Sequence, residues 1–272
     1  MHRRSLAVLA APAALWLALF FALPVAGVAV DAFAGGGTAF ARILAAPTFW
    51  PSLAGSIVLT LVATTISTLV GIAVALHLSR MAERPRTLLS FVIALPLTFS
   101  GLIVAYGFIL AYGRAGFFTQ LVGFAGLDAA VAGAVLFTPV GLAFASSYYL
   151  IPRVVMLLLP VLVNFDRTQL VVAESLGATP AQAFRQVLLP QVFGAVVGAA
   201  CLVAAVVFGA YGTALALVGT QLRILPLQLY SLISETGSDF PAAAALALLI
   251  TAACSGIMAT GEWISHRHER HL

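Results

Sequence analysis

His266, His268 and His271, with Glu269 among them, form the densest group of metal-binding side chains in this 272-residue sequence. Their spacing is neither the i, i+4 ligand pair of a metalloprotease helix nor a zinc-finger pattern, so a solvated basic tail is the simpler reading. Cys201 and Cys254 both sit in apolar runs without a partner at redox or zinc spacing, which suits small buried hydrophobes. No Ser/His/Asp order, paired carboxylates or Gly-rich phosphate loop occurs in a context that could form a catalytic site. The chain has no Lys; all 13 of its fixed positive charges are Arg. A phosphate-loop Lys and a Schiff-base Lys are therefore excluded. No metal, no catalytic residue and no cofactor is expected on this chain.

Polar and aromatic residues inside apolar runs suit recognition and passage of a solute better than catalysis. Thr98, Ser100, Tyr106, Tyr148, Tyr149, Tyr211 and Thr213 are the candidates for a substrate pathway. Pro96 and the glycines flanking Tyr211, Gly209 and Gly212, would open the backbone locally, as broken helices do at transport sites. Interfacial anchoring or packing is the alternative for each Tyr.

The elements that must position these residues follow from composition. Hydrophobic residues make up 62% of the chain and charged residues 8%, against about 25% charged in a soluble domain. This marks an all-α integral membrane protein in contact with lipid. A crossing helix needs about 20 mostly apolar residues, and six stretches qualify: about 6–30, 53–79, 88–112, 130–151, 191–218 and 241–261. Together they make residues 1–272 a single transmembrane domain. The first begins after Arg3 and Arg4, but its uncharged run is too long for a signal peptide.

Arg placement sets the orientation. With six crossings, Arg3, Arg4, Arg80, Arg84, Arg86, Arg153, Arg167, Arg185, Arg267 and Arg270 share a side with both termini. Only Arg42, Arg114 and Arg223 fall on the other, beside Asp31, Asp128, Glu235 and Asp239. Both termini are therefore expected in the cytoplasm. Charges at segment ends rather than on one face argue against a nucleic-acid partner. No Asp, Glu or Arg is expected near the centre of a crossing, which counts against an ion-coupled carrier or channel, the alternative function. Residues 154–165 are apolar but short, and could extend the fourth crossing or lie in the interface.

Residues 164–190 read NFDRTQLVVAESLGATPAQAFRQVLLP. Asp166 or Thr168 could cap a short helix that Gly177 ends in a left-handed turn. Thr179 and Pro180 then start a second helix, with Ala183, Phe184 and Val187 on one face. Such a helix–Gly–helix hairpin suits docking to a cytoplasmic partner; a connector lying on the membrane is the alternative.

This stretch resembles the cytoplasmic loop of permease subunits in binding-protein-dependent ABC importers of type I. That signature runs Glu-Ala-Ala, three residues, Gly, nine residues, Ile-x-Leu-Pro. Gly177, nine residues and Val187-Leu188-Leu189-Pro190 match its second half, and Ala173 fills the second Ala position. Val172 stands at the first Ala and Val171 where the Glu is usual; Glu174 is not its equivalent. The order of the remaining segments is similar to the branch importing polyamines, thiamine, ferric iron, sulfate or molybdate.

The resemblance implies a type I importer permease fold, spanning the inner membrane of a bacterial cell, that forms a translocation pathway by alternating access. It implies a coupling role for Ala173, Leu176, Gly177, Ala178, Phe184, Val187, Leu189 and Pro190. The implied partners are two cytoplasmic ATP-binding subunits holding ATP and Mg, a second permease half, an extracytoplasmic substrate-binding protein and membrane lipid.

Overall fold

The computed structural model describes residue 12 and residues 15–124, 126, 128–219, 222–234 and 239–269. The expected start of the first crossing, Arg3, Arg4, Glu235, Arg270 and His271 lie outside the described residues. Fourteen described helices follow in chain order: α1 (Leu15–Phe33), α2 (Thr38–Ala45), α3 (Phe49–Ser79), α4 (Glu83–Ala94), α5 (Gly101–Tyr112), α6 (Phe117–Phe124) and α7 (Ala129–Ala134), then α8 (Pro139–Asn164), α9 (Thr168–Ser175), α10 (Pro180–Ala183), α11 (Leu189–Phe208), α12 (Gly212–Val218), α13 (Leu225–Ser234) and α14 (Phe240–Glu269). Among the described residues there is no strand. Six helical segments are long and apolar enough to cross a membrane.

The second crossing packs as lipid favours, mostly small residues inside and large ones outside. One face of α3 buries Ser52, Ser56, Thr60, Ala63, Ser67, Gly71 and Ala75, spaced by three or four residues. That face lies against α8 and α11. Its opposite face exposes Ile57, Val58, Leu61, Val62, Ile66 and Leu69. With no hydrophobic force between helices in lipid, close backbone approach supplies the attraction. A Cβ on Gly71 would come within 2.6 Å of Val154, so glycine is required there. α14 packs along α11, while α1 rests on α14 and α2 at the periphery.

The second crossing starts at Phe49 rather than 53, and crossings three to six differ more from the sequence reading. The third crossing is not one helix over 88–112: α4 ends at Ala94, a 3₁₀ turn covers Leu95–Thr98, and Phe99 and Ser100 are extended before α5 begins. Pro96 supplies no N–H to the turn, and the Ser100 hydroxyl caps α5 by accepting from the Ile103 N–H at 3.4 Å.

The fourth crossing starts at Pro139, not 130, and runs unbroken to Asn164. Thr138 caps it, accepting from the Gly141 N–H at 3.3 Å, with Pro139 in the first turn. Residues 154–164 therefore belong to the crossing, and both Pro152 and Pro160 lie inside the helix.

The fifth crossing is continuous with the second hairpin helix through a π-type turn, Phe184–Leu188. Pro190 has no N–H to offer the Gln186 carbonyl, and a π turn is a usual response. Further on this crossing breaks at Gly209–Tyr211, and α12 resumes at Gly212. The sixth runs to Glu269 rather than 261.

One end of the bundle carries Arg80, Arg84, Arg86, Arg167, Arg185 and Arg267; the opposite end carries Arg42, Arg114 and Arg223. Arg153 belongs to neither, since it lies near the middle of the 26-residue α8.

Candidate functional site

Two regions hold the candidate site residues: a hairpin at one end of the bundle and a cleft where two broken helices meet.

The hairpin, residues 164–190, is built from local capping chemistry. The Asp166 carboxylate accepts from the Thr168 N–H at 2.9 Å, turning the chain into α9. The Thr168 hydroxyl and N–H beside it hold the Asp166 carboxyl below the usual carboxylate range. Gly177 has φ +92°. The Ala178 N–H donates to the Ala173 carbonyl at 3.1 Å and the Gly177 N–H to the Glu174 carbonyl at 3.0 Å, the double bond of a Schellman C-cap. Thr179 and Gln182 then form a capping box: the Gln182 N–H reaches the Thr179 hydroxyl at 3.3 Å, and the Gln182 amide oxygen accepts from the Thr179 N–H at 2.8 Å.

The hairpin has a rooted base and a bare tip. Ala183 and Leu188 are buried, and Leu170 and Phe184 pack against the main core. The Arg167 guanidinium donates to the Ser79 carbonyl at 2.8 Å, at the end of α3, and the Gln191 amide donates to Gln169 at 2.6 Å. At the tip Leu176 is 84% exposed and Val171 61%. Gly177 is exposed with them, whereas Ala173, Ala178, Val187 and Pro190 are half-buried and Leu189 sits at the start of α11. Composition patterning alone missed Arg167, Gln169 and Leu188, because their partners lie far away in sequence.

The cleft, about 300 Å³, lies where the α4–α5 break faces the α11–α12 break, with α8 behind them. Four of the seven pathway candidates line it: Ser100, Tyr149, Tyr211 and Thr213. The Tyr149 and Thr213 hydroxyls are 3.4 Å apart in a buried contact. The two breaks touch so closely that a Cβ on Gly101 would come within 2.4 Å of the Thr213 hydroxyl.

The other three candidates are placed elsewhere. Thr98 bonds back to the Leu95 carbonyl at 2.7 Å, Tyr106 is exposed, and the Tyr148 ring meets Phe108 edge to face. Arg153 joins the cleft instead, its guanidinium carbon 5.6 Å from the centroid of the Tyr149 ring. A charge inside a crossing was not expected. Its signal was the i, i+4 spacing from Tyr149 together with a proline, Pro152, that α8 absorbs.

A bundle of six apolar crossings, with half-broken helices around a cleft and a bare hairpin at one end, defines a membrane permease. The profile of the family described as "Binding-protein-dependent transport system inner membrane component" matches residues 67–270, and the chain belongs to that family. It is a permease subunit of a type I ABC importer, a multi-pass membrane protein that works with a substrate-binding protein.

Among curated relatives, "Sulfate permease 2, chloroplastic" of Chlamydomonas reinhardtii is 29% identical over 260 residues, covering 94% of this chain and 67% of its own. "Spermidine/putrescine transport system permease protein PotB" of Salmonella typhimurium is 28% identical over 165 residues, covering 60% of this chain and 56% of its own. A permease chain in the crystal structure of a bacterial alginate ABC transporter, in complex with an alginate pentasaccharide-bound periplasmic protein, superposes with a TM-score of 0.79. It shares 16% identity and covers 96% of this chain and 94% of its own, which bears on the fold.

Proposed function

We propose that this permease imports its substrate by alternating access, driven through residues 164–190 by ATP-binding subunits docked on the hairpin. The observation that carries this reading is the contrast between a bare apolar tip, Val171 and Leu176, and a root bonded to the end of α3. A partner that grips the tip moves α3 and α11 with it, and rigid rocking of such packed helices is a known switching mode.

ATP and Mg belong to those subunits, since this chain has neither a phosphate loop nor any Lys. Two of them would pair with two permease halves, identical or related, and a binding protein outside would deliver substrate to the opposite face. The hairpin end, with its Arg excess, would face the cytoplasm of a bacterial cell, and both termini with it.

Arg153 sits within α8, so the crossings are not free of charge and do not by that count against an ion-coupled carrier. The family assignment decides against the carrier instead. The test is Gly177→Arg in the assembled importer. A side chain at φ +92° distorts the C-cap, so the ATP-binding subunit should no longer co-purify and ATP-dependent uptake should stop. Retained binding and uptake, or uptake that follows a proton gradient and ignores ATP depletion, would overturn the reading.

A further inference from the structure

We propose that the cleft beside Arg153 is an oxyanion-selective station on the translocation path, its guanidinium contacting a small oxyanion such as sulfate. The inference rests on the reading of this chain as a permease whose path runs through the cleft. Three observations carry it.

Arg153 lies about 16 Å along α8 from its Asn164 end, at 1.5 Å per residue, inside a helix long and apolar enough to cross a membrane. Its Nη1 atom is buried and makes no hydrogen bond. A buried cationic donor without a partner is costly, and such groups inside a membrane usually face a cavity and mark an ion path. Among the described residues no acidic side chain lines the cleft to neutralise the charge. The hydroxyl-bearing Ser100, Tyr211 and Thr213 line the same cleft.

The guanidinium carbon lies 5.6 Å from the centroid of the Tyr149 ring, within cation–π range. A guanidinium fork matches the paired oxygens of an oxyanion better than it matches a neutral solute. It repels a polyamine, whose charges would meet Arg153 in the cleft with no carboxylate to offset it. Homology leaves this choice open, because the relatives matched include both a sulfate and a spermidine permease.

The experiment uses the full chain with its co-purifying subunits in nanodiscs. Radiolabelled sulfate and radiolabelled spermidine are titrated at fixed ionic strength. Wild type should bind sulfate and not spermidine. Arg153→Gln should weaken sulfate binding about tenfold or more, the loss expected for a charge-assisted fork, while Arg153→Lys retains part of it. Subunit co-purification should be unchanged in both.

Sulfate binding unaltered in Arg153→Gln, or spermidine binding in wild type, overturns the proposal. So does loss of a permease half with Arg153→Gln, which would make Arg153 an interface residue. Nanodiscs with and without phosphatidylglycerol separate a soluble anion from a headgroup; sulfate binding abolished by the anionic lipid would favour the headgroup and overturn it. Should Arg153→Gln not fold, the wild-type ligand preference and Arg153→Lys still decide. Because binding is read without ATP, its failure is distinguishable from failure of the coupling hairpin.

Discussion

Arg167 and Ser79, 88 positions apart, are joined by a 2.8 Å hydrogen bond from the guanidinium to the carbonyl oxygen. That carbonyl belongs to the last turn of α3, where helix carbonyls lack intrahelical donors and a cation is favoured. The bond ties the hairpin to the end of a crossing that packs on both α8 and α11.

Arg167→Ala should therefore uncouple rather than unfold. An exposed bond of this kind contributes about 1 kcal/mol to stability, so thermal unfolding should barely change. ATP hydrolysis by the assembled importer should persist while uptake per ATP falls several-fold. Ser79→Ala should cost little, since it removes the 3.2 Å hydroxyl contact and the hydroxyl's 2.9 Å bond to the Leu76 carbonyl within the helix but leaves the Ser79 carbonyl that Arg167 binds. Parallel ATPase and uptake assays on reconstituted importer check both variants.

Val171→Glu should tighten docking. Val171 is 61% exposed on α9, at the position where the family's loop usually carries its Glu. Adding a carboxylate there costs the fold little and offers the partner a charged anchor. Co-purification of the ATP-binding subunit should survive higher salt washes than in wild type; unchanged or weaker retention would count against a docked α9.

The hairpin was legible in the sequence because its signals are local. Gly177 ends α9 and Thr179-Pro180 starts α10 through bonds within five residues. The same Thr-Pro signal at Thr138-Pro139 marks the true start of α8, which an apolar run reaching back to 130 obscured. The six crossings were legible because length and hydropathy dictate them.

The cleft was not legible as a unit. Tyr149 and Thr213 meet across 64 positions, and nothing local brings them together. Arg153 was misplaced because Pro152 reads as a helix end, whereas burial of Pro152 against its neighbours keeps α8 intact. Tertiary packing overrode the local rule.

Close backbone approach predicts a pair of opposite glycine effects. Gly71→Ala drives a Cβ to within 2.6 Å of Val154 and should destabilise by about 1–3 kcal/mol, the usual range for overpacking. Gly256→Ala, on an exposed stretch of α14 with nothing within 4 Å, should be neutral or stabilise by up to about 1 kcal/mol. Thermal unfolding of the detergent-solubilised chain reads both.

At the opposite end, Asp239 serves two partners. Its carboxylate is bound by both arms of Arg42 and also accepts from the Ala242 N–H at 3.1 Å, capping α14. Asp239→Ala should cost about 0.5–2 kcal/mol for the lost cap, and Arg42→Ala under about 1 kcal/mol because the pair is exposed and screened. A salt titration of thermal stability separates them: the Arg42 effect should shrink with salt, the cap effect should not.

The most direct test of the coupling hairpin is a photo-crosslinking amino acid in place of Leu176, 84% exposed at the tip. In membranes of cells expressing the whole importer, irradiation should join this chain to a subunit carrying a Gly-x-x-x-x-Gly-Lys-Ser/Thr phosphate loop, identified by mass spectrometry. The same probe at Phe124, exposed on α6, should not capture that subunit. Capture of lipid alone at position 176, or equal capture from position 124, would contradict a hairpin docked on an ATP-binding partner.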